Sequence, residues 1–190
     1  YQINQKITFM LKDNKANFVY IADTLHVKFP SFYKELTTAF DEHGIDWDIL
    51  KGTKDIWARD YMPIQVSEDK YVRFTYRPDY LTQDDESAKT ISDVDAICDN
   101  LGVKPEKSKI VLDGGNISRW DDKVLMTTKV FTENPKRKES ELIGELKDLL
   151  EVNNIFFVPV EEKDWLGHID GMARFIDSRK VLINSLEKEK

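Results

Sequence analysis

A repeat of four β-hairpin patterns constrains the fold more than any other feature of the sequence. Each pattern joins two apolar or β-branched stretches through a short polar turn that contains an aspartate. The four turn residues, Asp13, Asp69, Asp122 and Asp177, are 56, 53 and 55 residues apart. Such regular spacing predicts a chain built from repeated structural modules.

A helix pattern and then an apolar strand pattern follow each of the first three hairpins. The predicted helices are 31–44, Ser92 to Gly102, and 139–152. The predicted strands are 45–50, 109–112 and 155–160. The chain is therefore expected to contain three hairpin–helix–strand modules and one final hairpin, which is an α/β architecture.

Residues capable of chemistry recur at the junction between one module and the next. The junctions are Asp55–Asp60, Asp113–Asn116 and Trp165–Asp170. If the modules surround a pseudo-symmetry axis, equivalent junctions meet near that axis. The repeat thus predicts that Asp60, Asp113, His168 and Asp170 share one pocket.

Each motif also has a purely structural explanation. Asp113–Asn116 has the composition of a tight turn, because glycine and asparagine tolerate positive φ. Arg59 and Asp60 could form a surface ion pair, and His168 could be a histidine with a hydrogen-bonded ring. The recurrence of the three motifs at equivalent positions favours a functional site.

Such a pocket suits a guanidinium group. Paired carboxylates accept the forked N–H donors of a planar guanidinium. A histidine beside the central carbon can pass a proton to a leaving amine and take one from water, and a carboxylate can hold that histidine. One histidine with several carboxylates could instead bind Mn or Fe.

Composition limits the class of partner and the compartment. The formal net charge of −7 argues against nucleic acid or anionic lipid as the main partner. The sequence contains neither a stretch long and apolar enough for a membrane span nor a secretory signal pattern. A single cysteine is typical of a reducing cytoplasm, which is the expected location.

Three segments carry a family resemblance. They are W-x-R-D-x-x-P within Asp55–Pro63, acid-Gly-Gly-Asn within Leu112–Asn116, and G-H-x-D within Gly167–Gly171. In this order the chain resembles the agmatine deiminases and bacterial peptidyl-arginine deiminases over nearly its whole length. The resemblance implies the pentein fold, an α/β propeller of five modules. Residues 1–190 would form a single partial domain with about three and a half of them.

The resemblance also implies roles for individual residues. Asp60 and Asp170 would bind the substrate guanidinium. His168 would act as general acid and then as general base, supported by Asp113. Two other residues of the motif would line the substrate-binding pocket: Trp57 and Arg59.

In enzymes of this family a cysteine attacks the guanidinium carbon, ammonia leaves, and water hydrolyses the thiouronium intermediate. The resemblance implies no metal and no organic cofactor. The substrate would be a cationic guanidino small molecule or peptidyl-arginine, and agmatine, free arginine and peptidyl-arginine all stay open. An agmatine-specific member would serve putrescine and polyamine biosynthesis.

Two departures from the family pattern bear on activity. Asp113 stands where agmatine deiminases usually carry glutamate, which weakens the case for agmatine. The family nucleophile has no counterpart here, because Cys98 lies on the apolar face of a predicted helix, where a buried and inert thiol is expected.

The missing nucleophile leaves two explanations open, a fragment of a longer enzyme and a shortened, inactive relative. The unmatched final hairpin favours a fragment or a partner that completes the ring, and a homo-oligomer is compatible with it. The alternative to an enzyme is a non-catalytic guanidine-binding pseudoenzyme or oligomerisation module that keeps the acidic pocket.

Overall fold

The computed structural model describes residues 15–81 and 85–185. The strands are β1 (Val19–Ala22), β2 (Trp47–Leu50), β3 (Ile64–Gln65), β4 (Tyr71–Thr75), β5 (Glu106–Val111), β6 (Ser118–Trp120), β7 (Lys123–Thr127), β8 (Asn154–Val158), β9 (Ala173–Asp177) and β10 (Lys180–Ile183). The α-helices are α1 (Leu25–Lys28), α2 (Pro30–Glu42), α3 (Ala58–Tyr61), α4 (Asp85–Ala88), α5 (Val94–Leu101), α6 (Lys129–Glu133) and α7 (Glu139–Leu150). Short 3₁₀ turns form at Asp79–Leu81, Gly114–Asn116 and Ile169–Gly171.

The sheets reproduce the predicted repeat. β3 and β4 pair antiparallel as a hairpin, and β5 then joins β4 in parallel. β6, β7 and β8 repeat this arrangement, whereas β9 and β10 form an antiparallel pair. The second, third and fourth hairpins and the α/β class are therefore confirmed. The first arm of the first hairpin, residues 7–11, lies outside the described residues; the second arm contains β1, which pairs in parallel with β2.

The helices that connect hairpin and parallel strand follow local rules. α5 begins after Asp93, whose side chain accepts a hydrogen bond from the Ala96 N–H at 3.1 Å, and ends at Gly102, which has φ 69°. Its first residue is Val94, so Ser92 lies near the helix start, as predicted. In α7 one face is buried as predicted, and it consists of Leu142, Leu146, Leu149 and Leu150.

The main core lies between the sheets of the second and third modules and α7. It includes Val72 of β4, Ile110 of β5, Met126 of β7 and Leu146 of α7, all essentially inaccessible to water. Burial on this scale stabilises each such side chain by about 1.5–3 kcal/mol. This core also packs against β8, and the two segments that carry Asp113 and His168 follow β5 and β8.

The first module is less enclosed within the described residues. α2 has none of its side chains buried, and Phe32, on its predicted apolar face, is 54% exposed. The sheet beside this module contains only the two described strands β1 and β2. None of the helices formed by the described residues is both long and apolar enough to cross a bilayer.

Candidate active site

The structure brings residues of all three junctions into contact around His168. Its Nε2 lies 3.1 Å from Asp113 Oδ2, and its Nδ1 lies 3.5 Å from Asp60 Oδ1. The same Asp60 oxygen accepts a hydrogen bond from the Gly115 N–H at 3.0 Å. The imidazole is therefore held between two carboxylates that are 53 residues apart in sequence.

The backbone places each of these side chains where regular structure gives way to a turn. Asp60 lies in the one-turn helix α3. Asp113 follows β5 and precedes the 3₁₀ turn Gly114–Asn116, while His168 precedes the 3₁₀ turn Ile169–Gly171. Asp113 is 1% and His168 6% exposed, so both are shielded from bulk water.

Gly115 provides the space in which the site residues meet. A Cβ at this position would lie 2.6 Å from both Asp60 Oδ1 and His168 Nδ1, and 3.1 Å from Asp170 Oδ2. Asp170 thus borders the same small volume as Asp60 and His168. The sequence analysis explained the glycines of this turn by positive φ. Among the described residues, however, neither Gly114 nor Gly115 has positive φ. The glycines that do are Gly44, Gly52, Gly102 and Gly167. Glycine is needed at 115 because the side chains approach it closely.

Gly114 is required for a different contact, and its replacement tests the packing of the junctions. A Cβ there would lie 2.1 Å from the carbonyl oxygen of Arg59, which is backbone and cannot rotate away. Gly114→Ala is expected to lower the free energy of unfolding by about 2–3 kcal/mol. The measurement is urea denaturation. Gly144→Ala in α7, where nothing lies within 4 Å, is the control and should stabilise by about 0.5–1 kcal/mol.

Burial and the neighbouring acids raise the pKa of Asp60. Burial, which disfavours the charged carboxylate, raises its pKa to about 6, and the negative charges of Asp113 and Asp170 act in the same direction. The charge of His168 and the Gly115 N–H oppose this rise only in part. Asp60 therefore changes charge just below neutral pH.

His168 responds in the opposite sense to burial. Burial by itself lowers the pKa of the imidazole, but the hydrogen bond to Asp113 and the charges of Asp60, Asp113 and Asp170 outweigh it, so the pKa is raised above its ordinary value. A histidine with a raised pKa can hold a proton near neutral pH and release it to a leaving group. The site is thus equipped for proton transfer.

Arg59 borders the site, whereas the side chain of Trp57 is mostly exposed to solvent. The Arg59 guanidinium donates a hydrogen bond to the Ile117 carbonyl at 2.7 Å. Arg59 and Asp170 both line a depression of about 130 Å³. Trp57 is 62% exposed. The contribution of these two residues to substrate binding stays a prediction.

Tyr80 and Lys129 belong to the surroundings of the site but were not among the predicted residues. Tyr80 donates a hydrogen bond to Asp113 Oδ2 at 3.3 Å. The buried Lys129 donates to the Leu166 carbonyl at 2.7 Å, two residues before His168. Neither residue lies in a junction, so the repeat gave no signal for them. The sequence offered one hint of a special role for Lys129, namely its position directly after the second strand of the third hairpin, residues 123–128.

Cys98 makes none of the contacts described around His168. It is 2% exposed and packs with Val94, Ile97, Leu50 and Tyr61. Burial raises the pKa of its thiol, which disfavours the reactive thiolate. The predicted burial of this thiol is confirmed, and its lack of reactivity stays a prediction. Over the ranges 15–81 and 85–185, no three His, Cys, Asp or Glu side chains are grouped as metal ligands.

Several solved structures have the same fold as this chain. The agmatine deiminase of Enterococcus faecalis has a TM-score of 0.72 at 18% identity over 96% of this chain and 62% of that one. The agmatine deiminase of C. jejuni has a TM-score of 0.70 at 17% identity over 91% of this chain and 63% of that one; a Cys→Ser variant of that enzyme has been solved with substrate bound. DDAH from Pseudomonas aeruginosa, complexed with citrulline, has a TM-score of 0.56 at 12% identity over 92% and 70%.

These likenesses establish the fold alone, and they confirm the pentein-type α/β fold. The described residues form four separate small sheets rather than a closed sheet. The chain spans less than two thirds of the length of the agmatine deiminases from E. faecalis and C. jejuni. No curated protein matches the sequence. The sequence model of the Porphyromonas-type peptidyl-arginine deiminases matches residues 15–190, and the chain therefore belongs to that family.

Proposed function

We propose that these 190 residues carry the guanidinium-binding and proton-transfer part of a guanidino deiminase, a hydrolase of C–N bonds in linear amidines. The observation that carries the proposal is the position of His168 between Asp60 and Asp113, with Asp170 on the same side of Gly115. Family membership favours this function over a non-catalytic binding or oligomerisation module.

Substrate binding would rest on Asp60 and Asp170. Carboxylates on one side of Gly115 present acceptors to the forked N–H groups of a guanidinium. Burial, together with the charges of Asp113 and Asp170, raises the pKa of Asp60. The positive charge of the substrate would offset this effect. Binding would therefore stabilise the ionised form of Asp60.

His168 would transfer protons in both halves of the reaction. A thiolate forms a bond to the guanidinium carbon, and the protonated imidazole gives its proton to one amino group, which leaves as ammonia. The remaining thiouronium is attacked by water, which gives one proton to His168. As the C–S bond breaks, the second proton leaves to the released ammonia, so that the net leaving group is ammonium. The products are a ureido compound and the free thiolate. Asp113 would keep the imidazole oriented and support its charge.

The nucleophilic cysteine would come from sequence outside these 190 residues. Cys98 is buried in the cluster beside α5 and makes none of the contacts described around His168. Agmatine, free arginine and peptidyl-arginine are the candidate substrates. If agmatine is used, the enzyme would serve putrescine and polyamine biosynthesis. A cytoplasmic location and homo-oligomerisation, without nucleic-acid or membrane partners, complete the proposal.

The pH dependence of guanidine binding tests this function. Asp60 must be ionised to bind a guanidinium, and its pKa is raised to about 6. Affinity should thus increase as pH rises through this value, and protonation of His168 at lower pH adds repulsion in the same direction. Calorimetric titration of the 190-residue chain with agmatine, arginine and an arginine peptide is expected to show about 10-fold weaker binding of the recognised ligand at pH 5 than at pH 7.5.

Asp60→Asn provides the matched variant. It removes a charge-assisted acceptor of the same shape, so affinity at pH 7.5 should fall about 10- to 100-fold and the pH dependence should flatten. Asp69→Asn, in the exposed turn between β3 and β4, removes the same charge away from the site and should leave affinity unchanged. Folded protein that binds none of the three ligands would contradict the proposal, as would an Asp60→Asn variant with parental affinity.

A further inference from the structure

The Asp113 carboxylate has a second donor in addition to His168. Its Oδ2 atom lies 3.1 Å from His168 Nε2 and accepts a hydrogen bond from the Tyr80 hydroxyl at 3.3 Å. Its Oδ1 atom is buried and has no hydrogen-bond partner among the described residues. His168 and Tyr80 therefore both contact the same oxygen of this buried carboxylate.

Tyr80 is held in place by contacts on two sides. The Lys129 ammonium lies 5.4 Å from the centre of its ring, a distance typical of a cation–π contact. Trp165 meets the ring edge-on, with centroids 5.3 Å apart at 89°. The Tyr80 hydroxyl is thereby directed at Asp113, and its ring lies 6.5 Å from that of His168.

Lys129 links the Tyr80 segment to the His168 segment. Its ammonium donates to Asp79, the neighbour of Tyr80, at 3.2 Å, and to the Leu166 carbonyl at 2.7 Å. Only 7% of Lys129 is exposed, so these contacts are largely shielded from water. The ionisable groups that face Tyr80 from its own turn and from the neighbouring elements are Asp60, Tyr76, Asp79, Asp113, Lys129 and His168.

We propose that Tyr80 is a positioning residue that shares Asp113 with His168 and so sets how strongly Asp113 binds the imidazole. This role rests on the proposed function for its catalytic meaning. Burial and the nearby Asp113 charge hold the pKa of Tyr80 far above its usual value, so the hydroxyl remains a donor. Two donors on one carboxylate oxygen compete for the same negative charge. A stronger Tyr80 bond therefore means a weaker bond from Asp113 to His168.

The test is a histidine titration followed by NMR in the 190-residue chain. The chain has three histidines, and His168→Ala assigns the relevant signal. Tyr80→Phe removes the competing donor and is expected to raise the pKa of His168 by about 0.5 or more. Tyr80→3-fluorotyrosine, a more acidic phenol, donates more strongly and is expected to lower it. Opposite shifts from two conservative replacements would not arise from a merely structural role.

The matched control is Tyr61→Phe. It removes a tyrosine hydroxyl that donates to the Asp55 carbonyl at 3.0 Å instead of to Asp113, and should leave the His168 titration unchanged. The proposal would be overturned if the pKa of His168 were unchanged or lowered in Tyr80→Phe. It would also be overturned if Tyr80→Phe and Tyr80→3-fluorotyrosine shifted this pKa equally. The titration requires no guanidine ligand. If the pKa of His168 shifts as expected but the chain binds no guanidine ligand, the result counts against the proposed function and not against the role of Tyr80.

Discussion

In an enzyme that joins these 190 residues to the proposed nucleophilic cysteine, replacing His168 by alanine is expected to lower kcat by about 10³-fold while changing ligand affinity little. In the proposed mechanism the imidazole gives a proton to the leaving amine and takes one from water. The carboxylates that would bind the guanidinium, Asp60 and Asp170, are held by other parts of the chain and are expected to stay in place. The measurement is ureido-product formation under saturating substrate, with affinity determined separately by calorimetry.

The control for this variant is His43→Ala. His43 is exposed at the end of α2 and lies away from the site, so its removal should leave kcat unchanged. Turnover of His168→Ala within a few-fold of the parent would refute the proton-transfer role. A loss of affinity as large as the loss of kcat would show that His168 contributes mainly to binding.

Gly115→Ala is expected to disable the site without unfolding the chain. The added methyl group would be 2.6 Å from Asp60 Oδ1 and from His168 Nδ1, and 3.1 Å from Asp170 Oδ2. These neighbours are ends of side chains that can move aside, so the fold should persist while the constellation is displaced. A displacement of about 1 Å can cost about 10²-fold in rate. We expect kcat/KM to fall by about that factor and guanidine affinity to fall about 10-fold.

Gly171→Ala gives a close comparison. Gly171 is adjacent to Asp170 in sequence, but a methyl group added to it would have nothing within 4 Å. This variant should bind and turn over substrate as the parent does. Parental affinity and activity in Gly115→Ala would contradict the view that the glycine provides space for the site. If Gly115→Ala unfolds, glycine is instead required at 115 for the fold itself, as it is at Gly114, which packs against the Arg59 backbone.

The predictable part of the fold depended on interactions between residues close in sequence. Alternating apolar residues around a polar turn indicated the hairpins β3–β4, β6–β7 and β9–β10, which the structure contains. The buried face of α7 followed from a helical period. The sequence placed Ser92 near the start of α5, and the structure shows that its neighbour Asp93 provides the capping carboxylate. Periodicity locates helices but leaves their first residue to capping.

The candidate site was predictable to the extent that its residues lie in the repeated junctions. Asp60, Asp113 and His168 could be proposed together because equivalent positions of a repeat meet in space, and their distances agree with that reasoning. Tyr80 and Lys129 could not be found in this way. Each reaches the site from outside the junctions, across contacts to segments 33 and 37 residues away.

The modules and the order of the junction motifs could be derived from the residues alone, because short-range periodicity encodes hairpins, helices and turns. Which carboxylate contacts which nitrogen of His168, and why Gly115 must be glycine, became clear from the folded chain. It alone revealed that Tyr80 shares Asp113. These contacts join segments that are far apart in sequence. Their distances depend on how the sheets pack around a common core, which cannot be predicted from local sequence patterns.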